Sequence, residues 1–340
     1  MNRKLLTALK YLFLLAIAGV LLWFAFRGIS IRNVFSEMLK ANFFWVSLSL
    51  VFSIVALISR AYRWKLLIES TGYSPPLKKT FYALMVGYFA NLAFPRLGEV
   101  TRCGSLSKSE IIPFTSLLGT VIVERVIDVI SLFICLLLAA IIEYKRLGNF
   151  LQDNIIQPII DKFKQVMGSP IFLIAAILLI AGLVFAIIIY IKRVRQKGKE
   201  SKWVQLMKGL IDGLRSIAKL KRPWLFIFHS VFIWVLYFFG VYVCFFALPF
   251  TSHLGFSAAL FLLVAGGLAM SAPVQGGIGA YHLLVSQGLI LYGVSQQDGL
   301  AFATLLHTLQ TLMVVLFGVA SLILLFSGKK NLHKTSEPAK

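Results

Sequence analysis

The chain has 340 residues, of which 59% are hydrophobic and 14% are charged. Soluble domains have an apolar fraction of about 45–50%, so this composition excludes an ordinary soluble protein and predicts an all-α polytopic membrane protein. The formal charge of +21 does not indicate nucleic-acid binding, because the basic residues flank apolar segments, where the positive-inside rule already accounts for them.

Several apolar segments approach the length of about 20 residues that a membrane-crossing helix needs. They are residues 11–26, 43–58, 114–142, 171–191, 224–248 and 302–326. Arg3 and Lys4 precede the first segment as in a signal peptide, but no small-x-small cleavage site follows it. We therefore expect about six full transmembrane helices, the first of them uncleaved.

The basic residues are concentrated in alternate loops. A cytoplasmic N-terminus and a cytoplasmic tail place most of the 34 Lys and Arg residues on one side of the membrane. This distribution predicts a multi-pass protein of a bacterial-type inner membrane with both termini in the cytoplasm. It also assigns Arg60, Arg63 and Lys65 to a cytoplasmic loop after the second span.

Two apolar segments are interrupted by Pro or Gly. Residues 80–94 lie between cytoplasmic flanks, so we expect them to enter the membrane and return, with a break at Phe94 and Pro95. A second interruption, residues 272–280, lies between two short apolar segments and should enter from the opposite face. Such backbone is tolerated at membrane depth only inside protein or along a wet cavity.

Interrupted segments at corresponding places in two halves indicate the binding site of an inverted-repeat transporter. The alternative is coincidence, since Gly and Pro are common in membrane helices. We predict a single membrane domain with two halves and a connecting region. Its parts are residues 1–142 with a broken hairpin at 80–112, residues 143–222 with an outer loop, a span and a basic amphipathic loop, residues 223–327 with a broken hairpin at 256–294, and a cytoplasmic tail at 328–340.

Charged residues occur at and after the first break. Glu124 should lie roughly 15 Å into the third span, and it shares a helix face with Asp128, with Arg125 beside them. This triad has a net charge of −1, and Arg96 or Arg102 is the expected further cation. Either the cluster binds an anionic substrate, or it is an ion-pair network that only holds the hairpin against the span.

The second interruption contains Gly276, Gly277 and Gly279 before a helix expected to begin near Ala280. Glycine permits the left-handed turns that point backbone N–H groups at an anion, although close helix packing is an equal explanation. His282 follows this turn directly. The candidate substrate-binding residues are Asn91, Arg96, Glu99, Arg102, Glu124, Arg125, Asp128, Gly276, Gly277, Gly279 and His282.

Three sequence blocks resemble a known family. They are Asn91-x-x-x-Pro95-Arg96-x-Gly98-Glu99-x-x-Arg102, then Glu124-Arg125-x-x-Asp128, then Pro273-x-x-Gly276-Gly277-Ile278-Gly279. Together they resemble the transmembrane, flippase-like region of lysylphosphatidylglycerol synthases and its free-standing relatives. The resemblance covers residues 12–326 and implies translocation of an anionic phospholipid or a polyprenyl-phosphate type of lipid-linked intermediate.

The chain departs from the family pattern at specific positions. It ends at Lys340, so we expect no soluble aminoacyl-transferase domain and no synthesis. Gln275 stands where proline is usual, and His282 stands where glutamate is common, which changes the charge at a presumed ligand-facing position.

Two other functional classes stay open. The first is a membrane-embedded lipid or glycosyl transferase with Glu99 or Asp128 as general base. The second is a non-transporting partner of a separate synthase. We expect no metal, no cofactor and no disulfide, because no ligand or nucleophile spacing is present, and no nucleic acid, because the positive-inside rule accounts for the basic residues. The expected partners are the membrane, the lipid, and either a separate soluble transferase or a second copy of the chain.

Overall fold

The computed structural model describes residues 19–144 and 220–327, together with single positions 16, 146 and 148. These residues form helices and turns, with no strand among them. The chain divides into two compact units, residues 1–139 with 216–340 and residues 140–215. The second unit lies almost entirely outside the described residues, as do the predicted outer loop and the basic amphipathic loop.

The first half begins with helical residues 19–26 and a short helix, α1 (Ile31–Leu39). A long helix, α2 (Phe43–Glu69), follows Asn42, whose side chain caps it by accepting a hydrogen bond from the Phe44 amide. The predicted loop after residue 58 is wrong, because α2 continues to Glu69 and carries Arg60 and Arg63 inside the protein.

The first broken hairpin consists of α3 (Leu77–Ala93) and α4 (Gly98–Glu110). Phe94, between them, has extended backbone, which confirms the predicted break before the proline. The two helices pack closely, because a Cβ atom added to Gly87 would lie 2.7 Å from the carbonyl oxygen of Gly98. The long helix α5 (Phe114–Ile142) then begins beside the predicted start at Pro113.

The second half repeats this order of long, short, short and long helices. It contains α6 (Pro223–Cys244), α7 (Phe256–Ser271), α8 (Ala280–Ile290) and α9 (Gln296–Ser327). A 3-10 turn, Phe245–Ala247, extends α6, and a second one, Gln275–Gly277, lies between α7 and α8. The opposed orientation of the two halves stays a prediction.

Four helices are long and apolar enough to cross a membrane: Phe43–Glu69, Phe114–Ile142, Pro223–Ala247 and Gln296–Leu325. They correspond to four of the predicted spans. The predicted span 171–191 lies outside the described residues, and the first predicted span is described only from residue 19, apart from position 16. The structure therefore confirms an all-α polytopic membrane protein.

The two halves meet along their helices. In the contact between α2 and α6, the Ser49 hydroxyl donates to the Gly240 carbonyl at 2.7 Å. In the contact between α3 and α9, a Cβ atom on Gly318 would lie 2.6 Å from Phe89. The hairpins also touch, because a Cβ atom on Gly276 would lie 2.9 Å from the side chain of Leu92.

Candidate functional site

A buried cluster of charged side chains joins α2, α4 and α5. We call it the arginine–carboxylate cluster. Its members are Arg60, Arg63, Glu99, Arg102, Glu124, Arg125 and Asp128. A charge at the centre of a membrane helix costs about 2.5–3.5 kcal/mol on insertion scales, so each of these groups requires a partner.

Glu124 lies at the centre of the cluster and is 0% exposed. Its Oε1 atom accepts a hydrogen bond from Arg60 Nη2 at 2.9 Å, and its Oε2 atom accepts one from Arg102 Nη1 at 3.1 Å. Of the two cations considered for this position, the structure therefore brings Arg102 and not Arg96 to the triad. The carboxylate links the first hairpin to both neighbouring long helices.

Asp128 lies one helical turn further along α5. Its Oδ2 atom accepts a hydrogen bond from Arg60 Nη2 at 2.7 Å, and its Oδ1 atom accepts one from Arg63 Nη2 at 2.6 Å. Both oxygens are therefore occupied by guanidinium groups from α2, and charge-assisted pairs of this length are among the strongest hydrogen bonds in proteins.

Arg60 and Arg63 belong to the site although they were not among the residues predicted to form it. They are three residues apart, so they share one face of α2, and apolar residues 66–68 continue the helix after them. Those two features together were the available signal. The distribution of basic residues obscured this signal, because the positive-inside rule assigns every Lys and Arg at the end of an apolar segment to a solvent-exposed loop.

Aromatic side chains hold two of the guanidinium groups. Arg102 lies over Trp64, with its guanidinium carbon 4.7 Å from the ring centroid, and the Trp64 indole N–H donates to Thr120 Oγ1 at 3.0 Å. Arg60 donates through Nη1 to the Tyr237 hydroxyl at 3.3 Å. Since Tyr237 belongs to α6, this bond connects the cluster to the second half.

Arg125 is the most accessible member of the cluster, with its side chain 40% exposed. Its Nε atom lies 3.7 Å from Glu99 Oε1, and its Nη1 atom lies 3.7 Å from Asp128 Oδ2. It lines a small open pocket together with Asn91, Glu99 and Arg102. The cluster therefore reaches the surface at this pocket, beside the break of the first hairpin.

Asn91 and Arg96 have different positions at this break. Asn91 Oδ1 accepts a hydrogen bond from the Gly98 amide at 2.7 Å, so this side chain shapes the turn as well as lining the pocket. Arg96 is exposed, has a left-handed φ of 64° and forms no ion pair with any residue that the structure describes.

The cluster has more positive than negative groups, since four guanidiniums face three carboxylates. Its net charge is therefore +1. Several of its N–H groups are also buried without a hydrogen-bond partner among the described residues: Arg60 Nε, Arg63 Nε and Nη1, Arg102 Nε and Nη2, and Arg125 Nε. The arrangement has both the charge and the spare donors to bind a further anion.

The glycine turn lies apart from this pocket. Gly276, Gly277 and Gly279 have φ values of 55°, 76° and 82°, as expected for a left-handed turn, and α8 begins at Ala280. However, the Gly277 amide already donates to Val274 O at 3.4 Å, and the Ile278 amide donates to Gln275 O at 3.0 Å. Two N–H groups that the anion hypothesis would use are therefore occupied within the turn.

His282 lies behind the glycine turn and contacts a second histidine. The ring centroids of His282 and His307 are 5.0 Å apart, and each residue is 6% exposed. His307 Nε2 lies 2.8 Å from the Gly276 carbonyl oxygen. The contact between the two histidines was not predicted, because His307 is on another helix.

The candidate residues thus form two groups. Asn91, Glu99, Arg102, Glu124, Arg125 and Asp128 come together with Arg60 and Arg63, whereas Gly276, Gly277, Gly279 and His282 form the second hairpin. Leu92, next to Asn91, contacts Gly276 and connects the two groups. Substrate binding by either group stays a prediction.

Comparison with known proteins identifies a family. The family model described as Lysylphosphatidylglycerol synthase TM region matches residues 11–318. The chain is also 32% identical over 127 residues to the UPF0104 membrane protein MJ1595 of Methanocaldococcus jannaschii. That match covers 36% of this chain and spans 35% of the relative's length. No solved structure matches. Because the family match extends over most of the sequence, the chain belongs to the lysylphosphatidylglycerol synthase TM region family.

Proposed function

We propose that this protein translocates an anionic phospholipid or a lipid-linked phosphate intermediate between the leaflets of the cytoplasmic membrane, with both of its termini in the cytoplasm. The observation that carries the proposal is the charge excess of the arginine–carboxylate cluster. Four guanidiniums face three carboxylates in this cluster, and its members Glu99, Arg102 and Arg125 line a pocket beside the break of the first hairpin. A buried network that served only to hold helices together would be expected to balance its charges.

The spare donors match the chemistry of a phosphate group. A guanidinium presents N–H groups in a planar fork, which suits the oxygens of a phosphate. Arg102 and Arg125 both line the pocket, and both have N–H groups without a hydrogen-bond partner among the described residues. In the proposed complex, one phosphodiester anion neutralises the excess charge and accepts hydrogen bonds from these two side chains.

The contact between the hairpins supports a transport role. Substrate sites of secondary transporters lie where interrupted helices of two repeats approach each other near the membrane centre. In this protein, Leu92 at the end of α3 contacts Gly276 in the second turn. Movement of one hairpin against the other would open the pocket to one leaflet at a time, and Arg96 at the exposed tip would meet the head group first.

A leaflet-exchange assay tests the proposal. The purified protein is reconstituted in liposomes with fluorescent phosphatidylglycerol, and an impermeant reductant bleaches the outer leaflet. We expect the wild type to exchange the label, and Arg125→Ala to slow the exchange at least about tenfold, which corresponds to about 1.4 kcal/mol. Arg125→Ala leaves three guanidiniums facing three carboxylates, so the variant should remain folded.

A matched control is available at another arginine that contacts an aromatic ring. Arg27 lies 5.1 Å from the centre of the exposed Trp23 ring, outside the cluster, so Arg27→Ala should exchange lipid at the wild-type rate. Exchange no faster than in protein-free liposomes, or equal rates for Arg125→Ala and wild type, would overturn the proposal.

A membrane-embedded transferase is a second candidate, and one observation favours it. Glu99 Oε2 is buried at the pocket without a hydrogen-bond partner among the described residues, whereas both oxygens of Asp128 accept hydrogen bonds. Glu99 is therefore the better placed general base. Formation of a labelled lipid product by the purified chain, and its loss in Glu99→Gln, would support this alternative over translocation.

A further inference from the structure

A second group of buried polar side chains lies at the second hairpin. His282 of α8 and His307 of α9 meet edge to face, with ring centroids 5.0 Å apart and an interplanar angle of 70°. Neither belongs to the arginine–carboxylate cluster, and translocation as proposed above assigns them no role.

The hydrogen bonding of this pair is incomplete. A carbonyl oxygen only accepts, so His307 Nε2 must carry the hydrogen that it donates to Gly276 O at 2.8 Å. His282 Nδ1 is buried without a hydrogen-bond partner among the described residues. Gln275 Oε1, beside Gly276, and Thr304 Oγ1, one turn before His307, are also buried without partners there. Polar atoms without partners thus occur on His282 itself and on residues close in sequence to the Gly276–His307 hydrogen bond.

The repeated order of helices places the His282–His307 pair at the position where the first half has the Arg102–Glu124 ion pair. Arg102 lies near the start of the short helix α4 and meets Glu124, about three turns into the long helix α5. His282 lies near the start of α8 and meets His307, about three turns into α9. One half therefore carries charged side chains at these positions, and the other carries side chains whose charge depends on the binding of a proton.

We propose that His282 and His307 form a proton-binding site, in which Nδ1 of His282 takes up one proton and His307 ties the pair to the glycine turn. Coupling of this proton to lipid movement rests on the proposed function, whereas proton binding itself does not.

The surroundings of the pair determine when the proton binds. The other titratable group at the pair is Tyr281, whose ring stacks on His307 at 5.1 Å, and Cys244 lies beyond it. From the preceding helical residues 19–26, Phe26 packs against His282 at 6.1 Å, and neither those residues nor α7 contain a titratable side chain. Asp298 of α9 is half-buried and accepts a hydrogen bond from Ser295.

No described carboxylate therefore neutralises a charged ring at this position. A buried charge without a partner is unfavourable. The closed second hairpin therefore favours the neutral histidine pair, and a charged pair favours an open hairpin that admits water. Proton binding and hairpin opening must then promote each other, because coupling between two equilibria is reciprocal. The Gly276 carbonyl provides the connection, since His307 bonds directly to the turn that would move.

Hydrogen–deuterium exchange of the whole protein in lipid nanodiscs tests this without requiring transport. Exchange at the histidine Cε1 position is followed by mass spectrometry from about pH 4 to pH 8, with the exposed His253 as the internal control. We expect a titration step at His282 whose midpoint moves in His307→Gln, while the midpoint of His253 does not. We also expect the amide protection factor of residues 272–280 to fall at least about tenfold on acidification in the wild type and to stay constant in His282→Gln.

The absence of a titration step at His282, or equal loss of protection in wild type and His282→Gln, would overturn the proposal. The glutamine variants keep a neutral polar side chain of similar length, so they test protonation rather than folding. A protein that shows the titration but exchanges no labelled lipid would lose the proposed function and keep the proton site.

Discussion

Arg102 and Trp64 are in direct contact, with the guanidinium carbon 4.7 Å from the ring centroid and both side chains fully or almost fully buried. The ring faces one side of the guanidinium while Glu124 accepts from its edge. Trp64 in turn donates to Thr120, so α2 and α5 together fix the one arginine that the first hairpin contributes to the cluster.

Two replacements of Trp64 distinguish the contribution of its aromatic ring to stability from that of its hydrogen bond. Trp64→Phe keeps an aromatic face and should lower the free energy of unfolding by about 1–2 kcal/mol, because the bond to Thr120 is lost. Trp64→Leu removes the face as well and should cost about 3 kcal/mol or more. Thermal unfolding in nanodiscs measures both. Trp23→Leu, at an exposed tryptophan also paired with an arginine, should change stability by less than about 0.5 kcal/mol.

Removal of the central carboxylate should be more costly than removal of an exposed one. Glu124→Gln leaves four guanidiniums facing two carboxylates and should destabilise the protein by about 3–5 kcal/mol, the usual cost of breaking a buried pair. Glu37→Gln breaks the more exposed pair with Lys40 and should cost less than about 1 kcal/mol. Equal unfolding temperatures for the two variants would contradict the buried position of Glu124. Partial recovery in a Glu124→Gln, Arg102→Met double variant would show that charge imbalance is the cause.

The close approach of α3 and α4 predicts opposite effects for two glycines of one helix. A Cβ atom on Gly98 would overlap the carbonyl oxygen of Gly87, whereas one on Gly104 would have no atom within 4 Å. Gly98→Ala should therefore destabilise by about 1–3 kcal/mol or more, and Gly104→Ala should stabilise by up to about 1 kcal/mol. Unfolding in denaturant measures both variants. A stable, fully active Gly98→Ala protein would show that the hairpin does not pack as described.

Replacement of Arg96 should raise the stability of the protein and lower its transport rate. Its φ of 64° is unfavourable for a residue with a side chain, so Arg96→Gly should stabilise the protein by about 1 kcal/mol. The same change removes the exposed cation and should slow lipid exchange. Ile111 has a φ of 56° and is 90% exposed, so Ile111→Gly should gain similar stability at unchanged exchange rate. If the two variants exchange lipid equally, Arg96 has no part in capturing the head group.

Local features of the sequence predicted much of the fold. Pro95 and the glycines at 276–279 interrupt apolar segments, and the structure breaks its helices at both places. The starts of α5 and α8 were also predicted, because Pro113 and Gly279 are helix boundaries. These positions are recognisable because each depends on the conformational preference of a residue and its immediate neighbours.

The structural features that were not predicted depend on contacts between residues far apart in the sequence. The helix α2 continues past residue 58 because Arg60 and Arg63 find their carboxylates on α5, and nothing within α2 itself indicates those partners. The meeting of His282 with His307 likewise follows from the packing of α8 against α9. The charge of the cluster was missed for the same reason: the sequence predicted a triad of net charge −1 that one further arginine would neutralise, whereas Arg60 and Arg63 of α2 bring the cluster to +1.

The backbone contact between Gly87 and Gly98 has a mechanical consequence. With no side chain to act as a spacer, α3 and α4 lock together near the break, and Asn91 ties the start of α4 back onto α3. The hairpin should consequently pivot as one stiff lever, with its hinges at the proline-containing ends, Pro75 and Pro76 before α3 and Pro113 after α4. The break at Phe94 and Pro95 is then the rigid end of the moving hairpin, and the hinges lie at its opposite end.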